Sequence, residues 1–219
     1  MQDSLFTDLK PSRKGQPRPI QSAHIGKNAE LIKAFMALYG EKIQKICDLT
    51  YGVGAFWTGI DLTGRELVRC DLDQARGKDV VCDCRDTPFR DESFDLVVFD
   101  PPYGNLSTAQ QGSHGVSETY QLTARSIDDL CKLYFQTLCE AHRILRRKHH
   151  ALAKCQDAVE SNTNHWFFKK VFDAGFEAQL VPIDLMVLIQ ESVATNNTGK
   201  QRHFRKNHSY LWVFEKRKH

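Results

Sequence analysis

Four short apolar runs in the first half of the chain each close on an aspartate. They are Lys45-Ile46-Cys47-Asp48-Leu49, Glu66-Leu67-Val68-Arg69-Cys70-Asp71, Asp79-Val80-Val81-Cys82-Asp83 and Asp95-Leu96-Val97-Val98-Phe99-Asp100. Their length and apolar content read as buried strands. In an open α/β sheet, ligands bind outside the carboxyl ends of parallel strands. A row of carboxylates there does little for stability, but it supplies acceptors for the hydroxyls and amines of a bound nucleoside.

The rest of the chain reads as the frame of that sheet. Leu31, Ile32, Phe35, Met36 and Leu38 crowd one side of a predicted helix that Gly40 can stop. Ser126-Ile127-Asp128-Asp129 resembles a capping box opening a helix whose apolar face carries Leu130, Leu133, Tyr134, Leu138, Ala141 and Leu145. Ala151 to Cys155 is a fifth strand, and Trp166 to Ala174 an amphipathic helix with Gly175 as its stop. Val181 to Ile189 and Ser209 to Phe214 close the fold. Residues 1–22 lack hydrophobic period and read as a flexible leader, so a single domain is expected over 23–219. Loops of about 104–125 and 191–207 interrupt it, and loops this long in a compact domain tend to be functional.

Composition narrows the function classes. With 219 residues, 41% hydrophobic and 26% charged, the chain fits one soluble globular domain. Its apolar runs are cut by charges short of a membrane span, and the N-terminus has no signal-peptide core, so a cytoplasmic protein without membrane contact is expected. The cysteines number seven, an odd count that suggests reduced thiols, and Cys82 with Cys84 is the only close pair. No second pair stands nearby to complete a metal site, so no metal is expected. The net charge is only +3, yet from residue 200 onward Lys200, Arg202, Arg205, Lys206, Lys216, Arg217 and Lys218 face Glu215 alone. Arg202, Arg205 and Lys206 are the candidate contacts to nucleic-acid phosphates, which would position a polynucleotide without reading its sequence.

Two motifs carry chemistry. In Asp48-Leu49-Thr50-Tyr51-Gly52-Val53-Gly54, a strand-end acid precedes two glycines that let the backbone turn closely around a ligand. A phosphate-binding loop would need Gly-Lys-Ser or Gly-Lys-Thr, whereas Ala55, Phe56, Trp57 and Thr58 follow here. A dinucleotide fingerprint would need a third glycine opening the helix, and Gly59 is misplaced for it. The second motif is Asp100-Pro101-Pro102-Tyr103, at the end of the most apolar run. Two prolines fix a rigid turn and remove backbone donors. The Asp100 carboxylate and the Pro101 carbonyl are left as acceptors, with the Tyr103 ring beside them. An exocyclic amine on a base needs such acceptors, because its lone pair is delocalised into the ring until its N–H bonds are drawn out of plane. Tyr103 could then stack on a base flipped from its helix.

These residues resemble motifs I to IV of the amino-group DNA methyltransferases, with Asp71 and Asp83 as the intervening acids. Upstream, His24-Ile25-Gly26-Lys27-Asn28-Ala29-Glu30-Leu31 is similar to the cofactor-proximal motif X, without its usual proline, and residues 206–214 resemble the family's last strand. The resemblance implies a Rossmann-like class I methyltransferase fold: a mostly parallel seven-stranded sheet flanked by helices, with an antiparallel terminal strand. It implies S-adenosylmethionine (SAM) as cofactor, bound by His24, Asn28, Asp48, Thr50, Gly52, Gly54, Asp71, Asp83 and Asp100. In that frame Gly52 and Gly54 approach the methionine part, Asp71 takes the ribose hydroxyls with Asp73 as rival, and Asp83 takes the adenine amine. Asp100, Pro101, Pro102 and Tyr103 are the implied catalytic residues. An aspartate heading the last motif points to adenine N6 in DNA, with cytosine N4, or RNA at adenine N6 or guanine N2, as alternatives. A silent nucleic-acid-binding subunit is the rival from another class.

Two departures stand out. The gap from Gly54 to Asp71 leaves room only for a stunted crossover helix, and there is no room for a separate recognition domain. Recognition then falls to the loops, the leader, a second copy or a partner protein. Trp166 and Trp212 read as core, and Arg143, Arg146, Arg147 and Lys148 as cations at a helix end. Lys154 is a further candidate for the substrate pocket.

Overall fold

The computed structural model describes residues 19–76, 78–101, 126–160, 162–190 and 202–217. Pro102, Tyr103, the 104–125 loop and most of the leader lie outside them. In chain order the elements are β1 (Ala23–Ile25), α1 (Asn28–Tyr39), β2 (Lys45–Asp48), β3 (Glu66–Asp71), β4 (Val80–Val81), β5 (Phe94–Phe99) and α2 (Ile127–Ile144). They continue with β6 (Leu145–Cys155), β7 (Ala158–Glu160), β8 (Thr163–His165), α3 (Phe167–Glu177), β9 (Val181–Ile189) and β10 (His208–Glu215).

The main sheet has the order β1-β9-β10-β6-β5-β2-β3-β4, and β7 pairs with β8 in a separate antiparallel hairpin. β10 runs antiparallel to both β6 and β9, while the other pairings are parallel. The expected seven strands are present, and the sheet gains an eighth. β1 adds to its edge with Ala23, His24 and Ile25 opposite Val187, Leu188 and Ile189. Three residues, two of them exposed, carry no apolar run that would betray a strand.

β5 explains why the sheet is two-sided. All six of its residues are buried. Val97 and Phe99 enter the core beneath α2 and α3, while Leu96 and Val98 enter the core beneath α1. That alternation is the period of two expected of a pleated strand covered on both faces. The order reverses between β2 and β5, because the chain runs from β2 outward to β4 and then returns to β5. The crevice beyond their carboxyl ends is therefore the topological switch point.

Sequence expectations fail in instructive places. Between β2 and β3 the backbone forms turns and no helix, and Phe56 and Trp57 fill that space by packing into the α1-side core. Gly175 lies inside α3 and does not stop it; glycine stands there because a Cβ would fall on the buried Phe214 ring. α2 ends at Ile144, so Arg146, Arg147 and Lys148 belong to β6. Arg146 pairs with Asp95 and Arg147 with Glu92. Ser126 caps α2 as expected, accepting from the Asp129 N–H at 3.1 Å. Among the described residues no helix is long and apolar enough to cross a membrane.

Candidate active site at the strand ends

The turn after β2 is tied down by its own acid. Asp48 is 1% exposed, its Oδ2 accepts from the Trp57 indole N–H at 2.7 Å, and its Oδ1 accepts from the Thr50 N–H at 3.1 Å. Burial pushes its carboxyl up to about 7; the bonds from Trp57 and Thr50 oppose that rise, and the nearby Asp100 and Asp71 add to it. Thr50 then reaches across the switch point, its Oγ1 accepting the Asp100 N–H at 2.7 Å. Gly52 and Gly54 take φ of +55° and +75°, a region in which a Cβ is strained.

Asp71 at the end of β3 is fully buried and braces this turn. Its Oδ2 accepts from the Gly52 N–H at 2.8 Å and its Oδ1 from the Asp73 N–H at 2.9 Å. Asp73 lies farther out, with Oδ1 accepting from the Ala75 N–H at 2.9 Å and Oδ2 3.5 Å from the Arg76 guanidinium. Asp83 is gripped by Arg85, whose Nη2 lies 2.6 Å from Oδ2 and whose Nε lies 2.9 Å from Oδ1. That guanidinium holds the Asp83 carboxyl below the usual carboxylate range.

Asp83 also lines a narrow cleft with Leu49, Thr50, Leu72, Cys84, Phe99, Pro101 and Leu133. Its walls are apolar, its polar groups few, and it sits where the switch point predicts a ligand. Cys84 does not add a nucleophile, since burial pushes its thiol up to about 12.

Asp100 emerges from β5 beside two donors. Lys154, from the end of β6, sets its ammonium 3.4 and 3.5 Å from the two carboxylate oxygens, and Asn28 Nδ2 at the start of α1 lies 3.5 Å from Oδ2. Lys154 is 4% exposed, and its ammonium also stands 5.9 Å from the centre of the Phe56 ring. The structure thus gathers Asn28, Asp48, Thr50, Gly52, Asp71 and Asp100 through contiguous contacts. Lys154, a sequence candidate for the substrate pocket, joins this cluster, as does Trp57; no motif marks Trp57 or Arg85. The Asp-x-Arg spacing of Asp83 and Arg85 is the one local signal that was available. Among the described contacts none joins His24 to this cluster; its buried Nε2 lacks a hydrogen-bond partner on edge strand β1.

The basic residues stand elsewhere along the same rim. Arg202 and Lys206 line an open groove with Asn164, Trp166, His203 and Phe204, whereas Arg205 does not contribute to its lining. Trp166 is half exposed, which corrects its assignment to the core: it precedes the first turn of α3 and escapes that helix's buried face. Trp212 is part-buried, donating its indole N–H to the Phe168 carbonyl at 2.7 Å.

A sheet of this order, with an apolar cleft at its switch point, is that of a Rossmann-like α/β domain. More specifically, the chain has the fold of the SAM-dependent methyltransferases. A SAM-dependent methyltransferase from Methanosarcina mazei superposes with a TM-score of 0.54 at 14% identity, covering 84% of this chain and 97% of that one. The 1,6-didemethyltoxoflavin-N1-methyltransferase of Burkholderia thailandensis, solved with S-adenosylhomocysteine, gives 0.54 at 13% identity over 87% of this chain and 79% of its own. TrmN from Thermus thermophilus gives 0.54 at 15% identity over 86% and 48%. No family model and no curated protein matches the sequence. At these identities the likeness speaks for the fold.

Proposed function

We propose that this protein is a SAM-dependent methyltransferase that acts on the exocyclic N6 amine of adenine in DNA. The observation that carries the reading is Asp100 at the switch point, its backbone N–H bonded to Thr50 and its carboxylate held by Asn28 and Lys154. It is followed by Pro101 on the cleft wall and by the Pro102-Tyr103 step of the sequence.

The residues present fit the cofactor. The cleft's apolar walls of Leu49, Leu72, Phe99 and Leu133 suit an adenine ring, and Asp83 at its edge supplies an acceptor for the ring's amine. The left-handed turn at Gly52 and Gly54 would present backbone to the methionine part. The Asp71–Asp73 turn takes the ribose hydroxyls, and Asn28 completes the cofactor side. Bound SAM supplies an electrophilic methyl on a sulfonium. Asp100 and the Pro101 carbonyl each accept one N–H of the target amine, which favours the pyramidal nitrogen of the transition state. Tyr103 stacks on the target base. Lys154 and Asn28 hold the carboxylate in place, and no cysteine is required as a nucleophile.

The test is transfer of labelled methyl from SAM to DNA and to total RNA, followed by mass spectrometry of the nucleosides. N6-methyladenine in the DNA digest is expected, with Asp100→Ala losing turnover while still binding SAM. Label confined to RNA, or full activity in Asp100→Ala, overturns the substrate or the catalytic assignment respectively.

A further inference from the structure

The open groove beyond β6 has the chemistry of a surface for unpaired nucleotides. Its volume is about 380 Å³, and no residue lining it also lines the cleft beside Asp100. Trp166 is 50% exposed and Phe204 90% exposed. A single exposed aromatic residue on a surface is ordinary. Here two share one groove with the cations Arg202 and Lys206, and no carboxylate is among its lining residues. Lys206 stands 4.7 Å from the centre of the Trp166 ring, so charge and π-face are already coupled.

The groove is built rather than incidental. The His203 ring ties the 202–207 segment to the β7–β8 hairpin, with Nε2 3.0 Å from the Asn162 carbonyl and Nδ1 3.2 Å from the Asn164 amide. Those partners fit a neutral ring that donates from Nε2 and accepts at Nδ1. Gln156 holds the same segment from the other side, donating to the Lys206 carbonyl at 3.1 Å and the His208 carbonyl at 3.0 Å. Gln156 is two residues beyond Lys154, about 7 Å along an extended backbone. The groove and the Asp100 carboxylate therefore share one rim of the sheet.

Flat aromatic faces beside cations bind single strands, because stacking requires a base freed from its partner while the cations follow the backbone. A duplex hides its base faces and offers only phosphates to such a surface. We infer that the groove formed by Trp166, Phe204, Arg202 and Lys206 binds an unpaired DNA strand adjoining the target adenine. This deepens the function proposed above and rests on it for the identity of the target.

The experiment measures fluorescence anisotropy of a labelled single-stranded DNA 12-mer, the RNA of the same sequence and the corresponding duplex DNA, on the full chain. The single-stranded DNA is expected to bind tightest and to quench tryptophan emission. Trp166→Ala and Phe204→Ala should each weaken it about 5- to 100-fold, with melting temperature and SAM affinity unchanged. Trp166→Phe should retain most of the affinity because it keeps a stacking face. Duplex or RNA binding at least as tight as single-stranded DNA, or unchanged affinity in both alanine variants, overturns the inference. Methyl transfer is followed in parallel. Trp166-dependent strand binding without methylation of any substrate would sink the proposed enzyme and spare the groove; methylation with a KM indifferent to Trp166 and Phe204 would do the reverse.

Discussion

Lys154 places its ammonium 3.4 Å from the Asp100 carboxylate, at the meeting of two adjacent parallel strands. Phe99 pairs with Ala153 in the β5–β6 ladder, so the next residue of each strand emerges at the same end of the sheet. Lys154 is almost completely buried, and Asp100 keeps 18% of its side chain exposed. An ammonium at this distance fixes the orientation of the carboxylate, whose oxygens then accept hydrogen bonds in a set direction. Lys154→Met preserves length and removes the charge. Methyl transfer should fall on the order of tenfold or more through misplacement of the carboxylate, with SAM affinity unchanged. A rate equal to that of the wild type would show that Lys154 only fills space.

Thr50 couples the cofactor-side turn to the catalytic carboxylate by accepting the Asp100 N–H. Thr50→Val keeps the shape and removes the acceptor, leaving that N–H short of this partner at a cost of about 1–3 kcal/mol. Turnover should drop about tenfold through misplacement of Asp100, and Thr50→Ser should restore it. Steady-state kinetics of the three proteins decide the matter; equal loss in the serine variant would assign the role to the methyl group.

Gly175→Ala gives a test whose sign is informative. Alanine in place of glycine within a helix ordinarily stabilises by about 1 kcal/mol. Here the added Cβ meets the ring of Phe214, which is fully buried. Overpacking of that kind costs about 1–3 kcal/mol, so urea unfolding should show net destabilisation. A stabilised variant would mean that α3 does not pack this closely on β10.

Gly175 also marks where sequence reading reaches its limit. A glycine after an apolar helical stretch reads as a stop, and only the arrival of Phe214 from β10 shows that it is a packing residue. The strand ends were legible for the opposite reason. β3 spans Glu66–Asp71 as its apolar run predicts, because strand propensity and the closing acid are local features of the chain. Asp48, Asp71 and Asp100 followed from those ends. Their partners did not: Trp57, Lys154 and Asn28 reach the acids through tertiary packing, which leaves no periodic trace. Trp166 was misassigned because composition cannot tell a buried indole from one standing just before a helix.

The pH dependence of stability isolates Asp48. Its carboxyl rises from 3.8 to about 7 on folding, chiefly through burial. A raised carboxyl pKa means that the folded state keeps its proton where the unfolded chain has lost it. Between roughly pH 4 and 7 the unfolded chain binds fewer protons, so stability falls with rising pH and levels off above that window. At about 1.4 kcal/mol per unit, the loss amounts to as much as ~4 kcal/mol. Asp95 and Glu140 have lowered pKa values, and their contributions are lost only as pH falls into the acid range. Comparing the wild type with Asp48→Asn removes those shared terms. The asparagine carries no charge at any pH, but its amide must face either Trp57 or Thr50, both of which donate, at a cost of about 1–3 kcal/mol. The variant should therefore be the less stable protein at pH 4, and the gap should close or reverse by pH 8. Chemical denaturation across that range is the measurement. A gap that stays constant with pH would mean that Asp48 folds as an ordinary ionised carboxylate and that the hydrogen bonds from Trp57 and Thr50 fully offset its burial.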